Sequence, residues 1–307
     1  MIQPQPKTTV QHRIEVLTAE LRLPTVRQMY HRLAEEVSRQ GGDYEAYLMT
    51  ILQEEAAERA ARRVERRLQE ARFPQMKLLS ELDYDAEPIP SKAQLAHLAI
   101  GGYIEQGRNI IALGNPGTGK THVATGLAVE ACRQGLRVRF YPVATLAAEL
   151  QAASEEHQLH RFLNRFAKWD LVVLDELGYL PLSRTGSELL FQAMSQRTER
   201  GSLIITSNLP FPEWMETFHT ERLTAALLDR VTYRAIILQM NGPSFRLART
   251  LADLPDAALS AGRPGPADPR GPGLADGRLH RDRAADGHDL STERQHADSQ
   301  EEPLDTD

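Results

Sequence analysis

Residues 114–121 form a glycine-rich segment between a short apolar run and a stretch with helical spacing. Glycines let such a loop curl so that successive N–H groups point inward, and the following helix adds its positive end. Lys120 is expected to reach the outer phosphates of a nucleoside triphosphate, and the Thr121 hydroxyl to ligate Mg²⁺. A chance match is the alternative, but the position between a strand and a helix favours phosphate binding. The expected contacts are Gly114, Asn115, Pro116, Gly117, Thr118, Gly119, Lys120 and Thr121.

A second candidate element is the apolar run 171–174, which is followed by Asp175 and Glu176. A buried strand would deliver both carboxylates to the sheet edge where open α/β proteins bind ligands. Asp175 would hold the metal ion of the same nucleotide site, directly or through water, and Glu176 would polarise the attacking water. Acidic pairs also cap turns, so this pair alone is weak evidence for a metal site. The glycine-rich segment earlier in the chain is what favours the catalytic interpretation.

Two further residues have both an ordinary and a chemical interpretation. Asn208 follows the apolar run 203–206 and could contact the outermost phosphate, although asparagine before Leu209-Pro210 is also a common turn former. Arg230 ends a predicted helix, where the helix dipole favours a cation. It could instead neutralise charge on a phosphate that a neighbouring subunit holds. The residues alone leave both alternatives open.

The elements that must position these residues follow an α/β pattern. Apolar strands alternate with amphipathic helices, which is typical of a parallel sheet covered on both faces. We therefore predict an α/β fold with a P-loop NTPase core. The five strands are expected at residues 109–113, 137–141, 171–174, 203–206 and 235–240.

The first ninety residues show apolar positions at helical spacing and no competing strand pattern. A helix is predicted through residues 21–33, Gly41 and Gly42 end it, and Asp43 is a candidate N-cap for the next helix. Residues 81–90 lack periodicity and predict a linker. We divide the chain into an N-terminal helical domain (1–78), an α/β domain (79–254) and a tail (255–307).

Charge and composition set the tail apart. The chain has 36 Lys or Arg and 42 Asp or Glu, and its net charge of -6 arises in residues 255–307, which hold 6 Arg and 12 acidic residues. That segment contains no Ile, Val, Phe, Tyr, Trp, Met, Lys or Cys, so we expect disorder, and an out-of-frame origin is a hypothesis. The single Cys132 and the lack of a leader or a long apolar run predict a cytoplasmic protein with no membrane partner.

Residues 21–251 carry motifs whose order resembles the IstB family, AAA+ ATPases that assist insertion-sequence transposition and are similar in their core to DnaC-type helicase loaders. Besides the glycine-rich segment, these motifs are Ala71-Arg72-Phe73-Pro74, Leu174-Asp175-Glu176-Leu177-Gly178-Tyr179, Thr206-Ser207-Asn208-Leu209-Pro210-Phe211, Glu213-Trp214, Ala226-Leu227-Leu228-Asp229-Arg230 and Ser244-Phe245-Arg246-Leu247. The resemblance implies hydrolysis of ATP with Mg²⁺, Asn208 as the γ-phosphate sensor and Arg230 as a finger acting across a subunit interface. Arg246 is either a second sensing arginine or a surface arginine.

The resemblance further implies a homo-oligomer that binds duplex DNA and recruits a transposase. Helical spacing places arginines along one helix face, where they could neutralise DNA phosphates: Arg59, Arg62, Arg63, Arg66 and Arg67. A solvated face paired with Glu58, Glu65 and Glu70 is the alternative. Two other functions remain open. A replicative helicase loader would have nearly the same core, and a small-molecule kinase would need a lid and an acceptor site that nothing here resembles.

Overall fold

A computed structural model describes residues 7–85, 89–197 and 200–247. The predicted disorder of the tail therefore lies outside the described residues. The helices are α1 (Lys7–Glu20), α2 (Pro24–Arg39), α3 (Tyr44–Ala71), α4 (Lys92–Ala99), α5 (Gly102–Glu105), α6 (Lys120–Arg133), α7 (Val143–Glu155), α8 (Leu159–Phe166), α9 (Arg184–Arg197), α10 (Trp214–Phe218) and α11 (Glu221–Thr232). The strands are β1 (Ile110–Leu113), β2 (Val138–Pro142), β3 (Leu171–Leu177), β4 (Ser202–Ser207) and β5 (Ile236–Gln239).

The strands form one parallel sheet in the order β2-β3-β4-β1-β5. In the centre, Ile110 of β1 lies opposite Ile204 of β4 on one side and Ile236 of β5 on the other. Strands β1, β3 and β4 are buried almost throughout, since helices cover both faces, and this explains their apolar runs. The predicted α/β fold and all five strands are confirmed. The largest difference is at β3, which continues three residues further, to Leu177.

Two apolar cores lie on opposite faces of the sheet. On one face the helices α7 to α11 bury Leu146, Leu150 and Trp214. On the other face α4 and α6 bury Leu95 and Leu127. Because both faces are covered, the sheet exposes polar groups mainly at its strand ends, and the carboxyl ends of β1, β3 and β4 meet at one edge.

The N-terminal helices differ from the sequence expectation at one point. The chain turns at residues 21–23, where Arg22 takes a positive φ of 55°, and α2 begins at Pro24. The prediction of a helix through residues 21–33 was therefore wrong at its start. Proline lacks an N–H and suits the first helical turn, so the helix begins at Pro24. The predicted N-cap is confirmed, since Asp43 Oδ1 accepts the Ala46 N–H at 2.8 Å.

A buried carboxylate fastens α2 to α3. Glu55 Oε2 accepts the N–H groups of Thr25 and Val26 at 2.9 and 3.1 Å, and Oε1 accepts from Arg59 Nε at 2.7 Å. Burial alone would raise the pKa of Glu55, but the Arg59 hydrogen bond and the two backbone donors outweigh it and lower the pKa. Arg59 therefore has a structural partner. In the described part of the chain, no helix is long and apolar enough to cross a bilayer.

The end of α3 and the segment after it pack against the α/β layers. Arg67 Nε donates to the Gly135 carbonyl at 3.0 Å, and Arg139 donates to the Glu70 carbonyl at 3.0 Å. Residues 79–81 form a short 3-10 helix, Tyr84 Oη donates to the Leu79 carbonyl, and Leu82 is buried. The linker predicted for residues 81–90 was wrong for its described residues, which belong to the packed structure. Residues 86–88 lie outside them.

Candidate nucleotide-binding site

The glycine-rich loop connects β1 to the N-terminus of α6. Gly117 and Gly119 take φ values of 82° and 88°, a left-handed conformation that glycine adopts without strain. Lys120 is the first residue of α6, and its Nζ donates to the carbonyls of Gly114 and Asn115 at 2.8 and 2.7 Å. The lysine amine is thus held against the loop, at a helix N-terminus whose partial positive charge favours an anion.

The chain that leaves β5 packs onto this loop. Phe245 donates its N–H to the Gly117 carbonyl at 3.0 Å. A Cβ on Gly117 would collide with Ser244 Oγ, and one on Gly114 would collide with the Met240 carbonyl. Two of the loop glycines are therefore required by close packing of a segment more than a hundred residues away.

Asp175, near the end of β3, connects that strand to the loop. Its side chain is buried, and its Oδ1 accepts hydrogen bonds from Thr121 Oγ1 at 2.9 Å and from Thr206 Oγ1 at 2.6 Å. Glu176 is the next residue, and its side chain is exposed. One carboxylate of the acidic pair thus lies beneath the loop, and the other faces the space beside it.

A cavity of about 370 Å³ lies over the loop, a size usual for small-molecule sites. Gly114, Asn115 and Asp175 do not line it, and Asp175 is connected to it through Thr121. Of the predicted site residues, those that line it are Pro116, Gly117, Thr118, Gly119, Lys120, Thr121, Glu176 and Asn208. The structure therefore places the phosphate loop, the catalytic carboxylate candidate and the sensor candidate around one space.

The charges around the cavity act on Lys120 in opposite directions. Burial lowers the pKa of the Lys120 amine, and the nearby Arg246 guanidinium lowers it further. Asp175 and Glu176 favour the charged amine, but they only partly offset the lowering. A bound polyphosphate would add negative charge beside the amine and would stabilise its protonated form.

Thr121 and Asp175 fit a magnesium ion that binds together with nucleotide phosphates. Mg²⁺ prefers oxygen ligands and is usually held by one or two protein groups, water and the phosphates themselves. The Thr121 hydroxyl, in the first turn of α6, and the Asp175 carboxylate, near the end of β3, are such groups. Thr121 Oγ1 and Asp175 Oδ1 lie 2.9 Å apart. These two residues would hold the ion.

Several residues that line the cavity were not among the predicted site residues, and most of them lie outside the motifs. Lys77, Leu82 and Ile89 form its wall on the N-terminal side. His122 Nε2 lies 2.8 Å from the Leu78 carbonyl, which can only accept, so this nitrogen carries the proton. Pro243 and Phe245 form the wall from the chain that leaves β5, beside Arg246. Their contribution depends on packing between distant segments, which local sequence does not show.

Arg230 does not line the cavity of its own chain. It lies exposed in the last turn of α11, with its guanidinium carbon 5.9 Å from the Phe191 ring centroid. The contact with Phe191 and the helix end are compatible with the structural interpretation. The exposed position is also what a finger acting on another subunit requires.

The arginine stripe of α3 lies outside the cavity, and much of it is paired within its own helix. Arg59 pairs with Glu55 at 2.7 Å, Arg62 with Glu58 at 3.5 Å, and Arg66 with Glu70 at 4.0 Å. Arg62 and Arg66 remain about half exposed or more, at 49% and 63% of the side chain. Exposed i,i+4 pairs of this kind are worth only a few tenths of a kcal/mol, so DNA phosphates could replace the glutamates.

A parallel sheet with a glycine-rich phosphate loop after β1 and an acidic pair at the end of β3 is the fold of the P-loop NTPases of the AAA+ class. The family model for the IstB-like ATP binding protein matches residues 16–252, and the chain belongs to this family. The predicted resemblance is confirmed.

Two relatives with similar sequences agree with this assignment. The chain is 37% identical over 253 residues to a Sinorhizobium fredii protein named for an insertion sequence and for ATP binding, and the match covers 82% of this chain and 84% of the relative. It is 36% identical over 236 residues to a Pseudomonas aeruginosa protein named for insertion sequence IS21 and for ATP binding, which covers 77% and 89%. A crystal structure of DnaI aligns with a TM-score of 0.46 at 18% identity, covering 53% of this chain and 90% of that one.

Replacing Lys120 by alanine should weaken ATP binding about ten- to a hundredfold, because the variant has no ammonium group to bind the phosphates. Titration of a fluorescent ATP analogue measures the effect, with circular dichroism to verify folding. Lys92→Ala, an exposed lysine in the first turn of α4, is the matched control and should bind like the parent. Parental affinity in Lys120→Ala would contradict the assignment of the loop.

Proposed function

We propose that this chain hydrolyses ATP and uses the cycle to assist a transposase on duplex DNA, as a homo-oligomer. The hydrogen bond of 2.9 Å between Thr121 and Asp175 carries the ATPase part, because it joins the phosphate loop to the acidic strand end beside one cavity. Membership of the IstB-like family and relatives named for insertion sequences support the transposition part. A replicative helicase bound in place of a transposase would favour the loader alternative.

The side chains around the cavity divide the reaction between them. The loop N–H groups and Lys120 bind the β- and γ-phosphates, and Thr121 and Asp175 hold the metal ion. When bound, Mg²⁺ neutralises charge on the transferred phosphoryl group. Glu176 accepts hydrogen bonds from the attacking water and orients it towards the γ-phosphorus. Asn208, which lines the same cavity, donates its amide N–H to the γ-phosphate.

Glu176→Gln should bind ATP like the parent but hydrolyse it more slowly, by at least about a hundredfold, since the amide keeps the shape of the side chain but cannot act as a base. Phosphate release and nucleotide binding, measured on the same preparation, separate the two steps. Glu216→Gln, an exposed glutamate on α10, is the control. Turnover at the parental rate in Glu176→Gln would remove this residue from the mechanism.

The exposed position of Arg230 supports the homo-oligomer part of the proposal. Since Arg230 does not line the cavity of its own chain, it can act on a phosphate only if a second subunit presents it. A finger of this kind supplies positive charge to the γ-phosphate as the bond to the β-phosphate breaks. Hydrolysis would then depend on assembly, which would let bound DNA control the ATPase.

Arg230→Ala should keep ATP binding and lose hydrolysis, by up to roughly 10³-fold or more if it resembles other arginine fingers. In mixed oligomers, Arg230→Ala subunits should recover part of the activity when combined with Lys120→Ala subunits, because each supplies what the other lacks. Arg222→Ala lies in the first turn of the same helix and is the matched control. If Arg230→Ala hydrolyses ATP normally and only melts at a lower temperature, the arginine has a structural role and the inter-subunit mechanism is wrong.

We also propose that the arginine stripe of α3 contributes to DNA binding. Repetition of this helix around an oligomer would multiply a few cations per subunit into many phosphate contacts. Arg59 is a poor target for a test, because its loss would leave the buried Glu55 without its cationic partner. The exposed residues Arg62, Arg63 and Arg66 are the suitable ones.

Replacing Arg62, Arg63 and Arg66 by glutamine should weaken DNA binding similarly on unrelated sequences and flatten its salt dependence, by about one unit of slope for each phosphate that is no longer neutralised. Fluorescence anisotropy at several salt concentrations gives the slope. A control of equal charge change replaces the exposed Arg161, Lys168 and Arg184 by glutamine. An unchanged slope in the α3 variant would place the DNA elsewhere on the protein.

A further inference from the structure

The pairing of β3 with β4 is irregular at the acidic pair. Leu174 lies opposite Ile205 and Leu177 lies opposite Ser207, so Asp175 and Glu176 together lie opposite the single residue between them, Thr206. Such a bulge bends a strand and redirects its side chains. It separates the buried carboxylate of Asp175 from the exposed one of Glu176.

The bulge requires an unusual backbone at Glu176. Its φ is 63°, in the left-handed region that residues with a side chain rarely occupy. A strained conformation of this kind persists only where surrounding contacts hold it, and it is frequent at functional sites. The contacts around Glu176 therefore decide where its carboxylate lies.

One hydroxyl makes two of these contacts. Thr206 Oγ1 accepts the backbone N–H of Glu176 at 2.9 Å and donates its proton to Asp175 Oδ1 at 2.6 Å. Thr206 is 1% exposed and borders the cavity, so loss of its hydroxyl would leave the Glu176 N–H without this partner. Thr121 Oγ1 donates to the same Asp175 oxygen. Thr206 thus connects the backbone of the catalytic candidate to the carboxylate assigned to the metal.

We propose that Thr206 is a positioning residue for hydrolysis: its hydroxyl holds the bulge at residues 175–176 and thereby places the Glu176 carboxylate against the attacking water. This inference rests on the proposed ATPase function and adds a residue to it. Thr206 lies on β4, two residues before Asn208, so the same strand end that carries the sensor candidate also fixes the base. A change at the γ-phosphate that moves β4 would be transmitted to Glu176 through one hydrogen bond.

Three variants test the proposal. Thr206→Val keeps the shape and removes the hydroxyl, and Thr206→Ser keeps the hydroxyl and removes a methyl group. Ser202→Ala is the matched control, since Ser202 is a fully buried hydroxyl at the opposite end of β4 that donates to the Tyr103 carbonyl. The measurements are kcat, KM and Kd for ATP with Mg²⁺, and amide hydrogen exchange at Glu176.

We expect Thr206→Val to lower kcat on the order of ten- to a hundredfold, as loss of a supporting hydrogen bond does around metal sites, with Kd and KM close to parental. The Glu176 amide should exchange faster. Thr206→Ser should recover most of the rate, and Ser202→Ala should keep it. Parental kcat in Thr206→Val overturns the proposal, as does a loss of ATP binding as large as the loss of rate, or a serine variant no better than valine.

The proposed function fails separately from this inference. An assembled parent protein that binds ATP and DNA but releases no phosphate contradicts the ATPase function. In that case hydrogen exchange still decides the role of the hydroxyl, because equal protection of the Glu176 amide in the parent and in Thr206→Val would show that Thr206 does not hold the bulge.

Discussion

The site depends on how one buried carboxylate is satisfied. Asp175 is 6% exposed, and a buried charge requires strong partners. Two hydroxyls donate to its Oδ1, from Thr121 at the start of α6 and from Thr206 on β4. These contacts draw three elements to one point, so that most of the phosphate loop, Glu176 and the sensor candidate Asn208 line one cavity.

The opposite side of the loop is fixed by the end of the α/β region. The chain after β5 packs so closely on the loop that side chains at Gly114 and Gly117 would collide with it. Asn115 Nδ2 donates to the Gly242 carbonyl at 3.4 Å, and Phe245 closes the contact through its N–H. The geometry that receives phosphates is therefore a product of the complete sheet and not of the loop alone.

Much of the fold follows from local sequence because the strands are buried on both faces and must be apolar. The glycine-rich loop and the Asp43 cap are equally local, and both lie where they were predicted. The helix start at Pro24 was missed because apolar spacing continued across a turn. The roles assigned to Glu176, Asn208 and Arg230, and the domain limits at 78 and 254, stay predictions.

The features that local sequence could not predict depend on strand register and on contacts between distant segments. The bulge opposite Thr206 arises only when β3 pairs with β4, and the cavity wall at Leu82 and Ile89 arises only when the segment before α4 packs on the loop. Arg59 and Glu55 lie four residues apart on α3, so their pairing is local, but the burial of Glu55 that makes the pair structural depends on the packing of α2.

The point where Thr121 meets Asp175 is the proposed position of the metal ion that binds with a nucleoside triphosphate. A crystal structure with a non-hydrolysable ATP analogue and Mn²⁺ tests it directly, because anomalous scattering locates the ion independently of the refined atoms. We expect a single Mn²⁺ at Thr121 Oγ1 and beside the β- and γ-phosphates, with Asp175 binding it directly or through water and Lys120 Nζ on the same phosphates. An ion away from Thr121 and Asp175, or a triphosphate outside the loop, would show that these residues do not form the nucleotide site.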